Sequence, residues 1–378
     1  MKRLLTAFLS LIFCIPFAIP ADAAEVSAEA AILIEASTGT PLYEKDADRR
    51  LPMASTTKIM TALVVFEHTS PDAVIEVPAD ACGIEGSSVY LRPGERIRCE
   101  DLLWSVLLES ANDAAAALAI SVGGSVEGFA AMMNEKAASL GLSDTHFTNP
   151  HGLDDEEHYT TARDLAKLTV AAMAHPAFRT MVSTRRHTIE REGGARVLIN
   201  HNRLLRMSDD VVGVKTGFTR RSGRCLVSAA QKDGAALVCV TLNAPDDWND
   251  HLKLYEEGFA KTHAVSLAEP GQFSSAIPCP HADDGEVTVS NRSGLTRVFF
   301  GDVPQIDTTV EAKRLLLEDT EIGDVLGRVV FRADGREIAS LPLTAEERAA
   351  APEKPSFFSH FIRNGSQTEW NPSESRNT

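Results

Sequence analysis

The chain has 378 residues, of which 44% are hydrophobic, and it carries a formal net charge of −16. That length and apolar content allow two or three domains with sizeable cores. The negative charge argues against a nucleic-acid partner and gives no electrostatic reason for binding to an anionic membrane surface.

The N-terminal residues 1–23 have the pattern of a secretory signal peptide: two basic residues, an apolar run, and a small-x-small cleavage site ending at Ala23. A retained membrane anchor is the alternative, but Pro16 and Pro20 and the short apolar run argue against it. We therefore expect an exported, extracytoplasmic protein whose mature chain begins near Ala24.

Of the six cysteines, Cys14 lies in the predicted signal peptide, and the other five are an odd set, too few for a disulfide scaffold. Cys82 could pair with Cys99, and Cys225 with Cys239, while packed free thiols are an equally good interpretation of the second pair. The spacing does not decide between them.

The apolar patterns change along the chain from alternating to helical and back. In chain order they predict a hairpin over 30–44, a helix after Ser55, extended segments at 74–77 and 88–91, helices over 100–141 and after Thr161, strands at 211–218, 224–230 and 236–242, and a helix at 248–261. This order predicts an α/β (α+β) sandwich, in which both ends of the domain complete an antiparallel sheet covered by a helical layer.

Near residue 264 the pattern changes to short alternating runs with glycine-containing turns, which predict a small all-β domain. The expected organisation is a domain at 24–263, a β domain at 264–344 and a polar tail at 345–378. Within the tail, residues 357–363 are aromatic and basic, a composition typical of segments at a membrane interface. An ordered chain end is the alternative.

Ser55 and Lys58 lie three residues apart where a helix is predicted to begin, so their side chains share one face. A buried, partly desolvated lysine can be neutral enough to take a proton, and a serine at a helix N-terminus can offer its own backbone N–H to an oxyanion. Taken alone, the pair is better explained as a helix cap followed by a surface lysine.

Two further motifs change that interpretation. Ser110 and Asn112 stand between two helical patterns, and Lys215 lies in an apolar strand followed by Thr216 and Gly217. Ser-x-x-Lys, Ser-x-Asn and Lys-Thr-Gly in this order are typical of β-lactamases and penicillin-binding proteins.

With these motifs, the chain resembles the low-molecular-mass penicillin-binding proteins, the D-alanyl-D-alanine carboxypeptidases, over nearly its full mature length. The segments that carry the likeness are 31–39, 110–115, 149–153, 161–165 and 215–219. The stretch 244–251 is most similar to the branch found in spore-forming and related Gram-positive bacteria. The resemblance implies a β-lactamase/transpeptidase-like serine acyltransferase fold at 24–263.

The resemblance also implies a reaction: Ser55 is acylated by the penultimate D-alanine of a peptidoglycan stem peptide, and Lys58 takes its proton. Ser110, Asn112 and Lys215 would pass or stabilise protons and orient the substrate. The site residues implied are catalytic Ser55, Lys58, Ser110, Asn112 and Lys215, and substrate-binding Thr216, Gly217, Phe218 and Thr219. β-Lactams would be covalent inhibitors, and no cofactor is implied.

One departure concerns the substrate carboxylate. Some members of the family have an arginine near the start of the last helix of the domain, where this chain has Asp246 and Asp247. Thr216 and Thr219 are candidates for holding the carboxylate, and the nearby cations are Arg220, Arg221 and Arg224.

Three alternatives stay open at this point. A serine β-lactamase shares the motifs, but no Glu-x-x-Leu-Asn stands between Asn112 and Lys215 to supply its deacylation base. A D,D-endopeptidase would use the same chemistry, and a secreted wall-binding protein would use none of it. Zinc is not indicated, because the histidines fall at no recognised ligand spacing and are expected in loops and on the surface: His151, His158, His175 and His187.

Overall fold

The first two strands of the chain form one side of a sheet that is completed by strands from much later in the sequence. The computed structural model describes residues 25–350, so the predicted signal peptide at 1–23 and the segment 357–363 lie outside the described residues. Within them, a five-stranded sheet has the order β2-β1-β9-β8-β7. Its strands are β1 (Ala30–Glu35), β2 (Pro41–Lys45), β7 (Val211–Thr219), β8 (Gly223–Lys232) and β9 (Ala235–Leu242).

This sheet is antiparallel throughout, and β1 pairs with both β2 and β9. The predicted hairpin and the completion of the sheet by both ends of the domain are therefore confirmed. Strand β7 is the edge strand on the side that carries Lys215.

Both faces of the sheet are buried, as the alternation along β1 shows. Ala30, Ile32 and Ile34 pack into the larger core with most of the helices, while Ala31 and Leu33 pack into a second core beneath the last helix. The helices are α1 (Lys58–His68), α2 (Cys99–Leu108), α3 (Asn112–Gly123), α4 (Val126–Ser139), α5 (Ala162–Ala174), α6 (Pro176–Ser183), α7 (Leu204–Met207) and α8 (Asp247–Lys261).

Two small ladders accompany these helices: β3 (Val74–Glu76) with β4 (Arg96–Arg98), and β5 (Arg186–Arg191) with β6 (Gly194–Ile199). The extended segment predicted at 88–91 is not a strand. Asp113 accepts the backbone N–H groups of Val89 and Leu91 at 3.2 and 2.9 Å, which removes the donors that a ladder would use.

The described chain divides into two compact units. The first extends to Ala264 and includes Val298–Gly301, and the second holds Val265–Arg297 and continues from Asp302. Strand β10 (Thr262–Ala268) pairs with β13 (Leu295–Phe300), and a separate antiparallel sheet has the order β11-β12-β16-β15-β14. Its strands are β11 (Ser274–Pro278), β12 (Glu286–Ser290), β14 (Ile306–Ala312), β15 (Val325–Ala333) and β16 (Arg336–Ala345).

From Thr262 to Ala345 the named elements are all strands. The domain limits given from the sequence stay a prediction. All five cysteines in the described residues are free thiols, so neither of the two open pairings is formed there. Within residues 25–350, no single helix is long and apolar enough to cross a membrane; α3 and α4 meet that criterion only together, bent by 82°.

Candidate active site

Ser55 lies in a tight 3₁₀ turn over Ala54–Thr57 that leads directly into α1. Residues three apart in a 3₁₀ turn are stacked on one side, which brings Lys58 Nζ to 3.0 Å from Ser55 Oγ. The preceding residue, Ala54, has a left-handed φ of 47°. The turn is backed by Gly152, where a Cβ atom would come within 1.9 Å of the Ala54 carbonyl oxygen.

Lys58 is fully buried. Besides contacting Ser55, its amine donates hydrogen bonds to Asn112 Oδ1 at 2.7 Å and to the His151 carbonyl at 2.6 Å. Desolvation by burial, together with the positive charge of Lys215, holds the pKa of Lys58 well below its usual value. Both effects shift the amine towards its neutral form, the form that a proton acceptor takes.

The loop between α2 and α3 brings the second motif to the same place. Asn112 is the first residue of α3, and its Nδ2 donates a hydrogen bond to the Glu85 carbonyl at 2.5 Å, which fixes the amide so that Oδ1 faces Lys58. Ser110 is buried, with a left-handed φ of 60° at the end of α2. Both residues line the same cavity as Ser55.

Lys215 lies in β7 and is 1% exposed. Its Nζ donates to the Thr216 carbonyl at 2.9 Å, and burial lowers the pKa of Lys215 to about 7. Two residues later, Gly217 allows β7 to approach the Ser55 turn. A Cβ atom there would lie 3.1 Å from the Ser55 amide nitrogen and from the Met53 carbonyl, tighter than most contacts of real side chains.

The residues expected to bind substrate follow Lys215 along the edge strand. Thr216, Gly217, Phe218 and Thr219 all line the cavity, which has a volume of about 600 Å³. Phe218 is 67% exposed, whereas the Thr219 hydroxyl donates to Asp154 Oδ1 at 2.9 Å.

The three candidate cations are placed differently. Arg224 lines the cavity together with Asp247 and Trp248 of α8. Arg220 and Arg221 are exposed and are not among the residues that line it.

Two histidines, His151 and His201, also line the cavity. Burial is the main cause that lowers the pKa of each, and it lowers that of His151 to about 3.

The surface location predicted for His158 is wrong, because the ring is 3% exposed. It lies behind the Ser55 turn and contacts Thr57 Oγ1 at 2.8 Å, and burial lowers its pKa to about 4. The hydrogen bond from Lys58 to the His151 carbonyl was also not predicted. A backbone acceptor supplied by a distant loop leaves no signal in residue type or spacing. In the described residues, no cluster of three or more His, Cys, Asp or Glu side chains is arranged to hold a metal ion.

Comparisons with known proteins all point to one family. A family model described as Peptidase_S11, D-alanyl-D-alanine carboxypeptidase, matches residues 18–246. The chain is 30% identical over 367 residues to the D-alanyl-D-alanine carboxypeptidase DacF of Bacillus subtilis, covering 92% of this chain and 94% of that one. It is 32% identical over 344 residues to DacC of Escherichia coli, covering 86% and 85% of the two chains.

Solved structures give the same result. Penicillin-binding protein 5 of Haemophilus influenzae superposes with a TM-score of 0.64 at 26% identity, covering 87% of this chain and 99% of that one. A mutant of the Streptomyces K15 DD-transpeptidase superposes with a TM-score of 0.61 at 33% identity, covering 63% of this chain and 99% of that one. The predicted family and fold class are confirmed.

Proposed function

The chain belongs to the D-alanyl-D-alanine carboxypeptidase family, and from that membership we propose that it removes the terminal D-alanine of peptidoglycan stem pentapeptides through an acyl-enzyme on Ser55. The observation that carries the proposal is the buried Lys58 amine, 3.0 Å from the Ser55 hydroxyl inside a cavity. A base within hydrogen-bond reach of its nucleophile is the geometry that covalent catalysis requires.

The hydrogen bonds of Lys58 give the direction of proton transfer. A neutral amine has two N–H donors and one lone pair, and two fixed acceptors, Asn112 Oδ1 and the His151 carbonyl, are present for the donors. The lone pair is then left for the Ser55 hydroxyl. As Ser55 Oγ bonds to the substrate carbonyl carbon, its proton passes to Lys58, which becomes an ammonium.

The tetrahedral intermediate needs donors for its negative oxygen. The backbone N–H groups of Ser55 and Phe218 are proposed for this role, supported by the close approach of β7 at Gly217 to the Ser55 amide. Removal of one such donor typically costs about 3 to 4 kcal/mol of transition-state stabilisation.

Collapse of the intermediate breaks the bond to the terminal residue. The leaving amine takes the proton held by Lys58, directly or through the neighbouring Ser110 hydroxyl, and D-alanine departs. Water then adds to the ester carbonyl while Lys58 accepts its proton. The bond from the carbonyl carbon to Ser55 Oγ breaks, Lys58 returns the proton to Oγ, and the shortened peptide leaves. Lys215, whose pKa is about 7, would stabilise negative charge along β7 when it is protonated.

The peptide itself would add to the sheet. Strand β7 is the sheet edge and runs past the Ser55 turn, so an extended stem peptide can pair with it as an additional strand. This arrangement serves a D,D-endopeptidase equally well, and a serine β-lactamase would share the acylation step.

The family acts on the cell wall, so we place the protein outside the cytoplasmic membrane, with β-lactams as covalent inhibitors. Contact with the outer face of that membrane through the tail is proposed only from the composition of residues 357–363.

The test is release of D-alanine from a diacetyl-L-lysyl-D-alanyl-D-alanine peptide, with penicillin turnover measured in parallel. We expect D-alanine release by the wild type, none by Ser55→Ala, and a loss of at least about 100-fold in Lys58→Ala. Lys232→Ala, which removes an exposed lysine from β8, is the matched control and keeps wild-type activity.

Fast penicillin turnover without D-alanine release would indicate a β-lactamase. Cleavage of cross-linked peptides in preference to the terminal residue would indicate an endopeptidase. A folded wild type with none of these three activities would favour the remaining alternative, a secreted wall-binding protein.

A further inference from the structure

Arg224 lies in the same cavity as the nucleophile, on the strand next to the substrate edge. It is the register partner of Phe218 across β7 and β8, so the two side chains emerge on one face of the sheet. Among the residues that line the cavity in the described chain, Arg224 is the one arginine or lysine.

Two residues of α8 hold the guanidinium in place. Arg224 Nη2 donates to Asp247 Oδ1 at 2.6 Å, and the guanidinium carbon lies 5.3 Å from the centroid of the Trp248 ring. The Asp247 side chain is 3% exposed, whereas that of Arg224 is 40% exposed. The buried Asp247 carboxylate lies behind Arg224, and the Trp248 ring lies against its guanidinium. The outer part of the guanidinium therefore faces the cavity.

This arrangement does not use all the donors of the arginine. A guanidinium has five N–H donors, and the contact with Asp247 uses one. Within the described residues, Arg224 Nε is buried and has no hydrogen-bond partner. Because a planar guanidinium can bind two carboxylates through different edges, its ion pair with Asp247 orients it without blocking it.

A carboxypeptidase substrate ends in a free carboxylate one residue beyond the bond that is cut, so the cavity must accept an anion beside Ser55. The two buried lysines of the site are engaged: Lys58 donates to Asn112 and the His151 carbonyl, and Lys215 donates to the Thr216 carbonyl. The Thr219 hydroxyl donates to Asp154.

We propose that Arg224, oriented by Asp247 and Trp248, binds the terminal carboxylate of the substrate and sets the preference for a free C-terminus. This inference rests on the proposed function. It also gives the acidic start of α8 a role: Asp247, 3% exposed at the cavity wall, is paired with Arg224 and anchors the cation that binds the substrate carboxylate.

The test uses two thioester substrates with the same acyl group, one ending in a free carboxylate and the other in its methyl ester. Wild type should favour the free acid. Arg224→Gln should lower kcat/KM for the free acid by about 10- to 100-fold, because a hydrogen bond to a charged group contributes a free energy of that size. The kcat/KM for the methyl ester should change by less than about 2-fold. Arg224→Lys keeps the charge and should fall between the two.

Arg221→Gln is the matched control, because it removes an exposed arginine three residues away that does not line the cavity. It should leave both substrates unchanged. Equal losses on both substrates in Arg224→Gln, or the acid-specific loss in Arg221→Gln, would overturn the proposal. Failure of the proposed function has a different pattern: a folded wild type that cleaves neither thioester.

Discussion

His158 is connected to Ala54, the residue that precedes the nucleophile, through two hydrogen bonds. The Thr148 backbone N–H donates to His158 Nδ1 at 3.1 Å, so the proton of the neutral ring is on Nε2. That nitrogen faces Thr57 Oγ1 at 2.8 Å, and the Thr57 hydroxyl donates to the Ala54 carbonyl at 2.7 Å. The chain of contacts ends at the left-handed residue that precedes Ser55, which makes His158 a positioning residue.

Replacing His158 should therefore disturb Ser55 without removing any reacting group. For His158→Ala we expect acylation by penicillin to slow by about 10- to 100-fold, because small displacements of reacting atoms have effects of this size. Stopped-flow acylation rates measure it. His146→Ala, in the neighbouring loop and outside this chain of contacts, is the control; a wild-type rate in His158→Ala would contradict the positioning role.

The residues proposed to react could be named from the sequence, whereas the residue proposed to position them could not. Ser55, Lys58, Asn112 and Lys215 belong to motifs whose spacing is tied to chemistry. Hydrogen bonds join the first three, and Lys215 is near enough for its charge to lower the pKa of Lys58. His158 acts through its ring on a turn 101 residues away in sequence. Only the tertiary fold brings such a pair into contact.

At the level of elements, α8 is fixed to the central sheet by a buried polar cluster. His251 is fully buried and contacts Ser228 Oγ on β8 at 2.6 Å and Thr241 Oγ1 on β9 at 2.9 Å. Tyr255, one turn later, contacts the same Ser228 hydroxyl at 2.6 Å. Burial lowers the pKa of His251 to about 3.

This cluster predicts a component of acid instability. Between the pKa of an unfolded histidine, 6.5, and about 3, the unfolded chain binds a proton that the folded chain does not, so the free energy of unfolding falls as pH falls through this window. His251→Gln lacks this titration. Its stability deficit relative to wild type, measured by urea unfolding, should narrow from pH 7 to pH 4.

Because His151 and His158 titrate in both proteins, their contributions cancel in the comparison. A deficit that stays constant with pH would show that His251 is not the titrating group.

Helix α8 was predictable from its apolar periodicity, whereas the polar contacts beneath it depend on the register of β8 against β9. The extended segment predicted at 88–91 forms no ladder because the N–H groups of Val89 and Leu91 bond to Asp113 on α3, a contact that also depends on the tertiary fold.

For the whole molecule, the division into two units separates the site from the second sheet. Every residue that lines the cavity belongs to the first unit. The Streptomyces K15 enzyme matches 63% of this chain with 99% of its own, a share close to the size of the first unit. The change in pattern near residue 264 was visible in the sequence, but the return of Val298–Gly301 to the first unit was not.

A chain that ends after Ala264 should therefore keep its penicillin acylation rate within about 3-fold of the full-length value, since the cavity and its acylating groups are intact. Its melting temperature should be lower, because the contacts of Val298–Gly301 are lost. Fluorescent penicillin labelling and thermal unfolding measure the two effects. A truncated chain that is folded by circular dichroism and does not label would contradict this separation.

The central claim is that Ser55 is the acylated nucleophile. Its most direct test is mass spectrometry of the protein after incubation with penicillin, followed by digestion to locate the adduct. The account predicts one penicilloyl group on the peptide that contains Ser55 in the wild type, and no adduct in a folded Ser55→Ala variant with an unchanged melting temperature. Equal labelling of the alanine variant, or an unlabelled folded wild type, would contradict it.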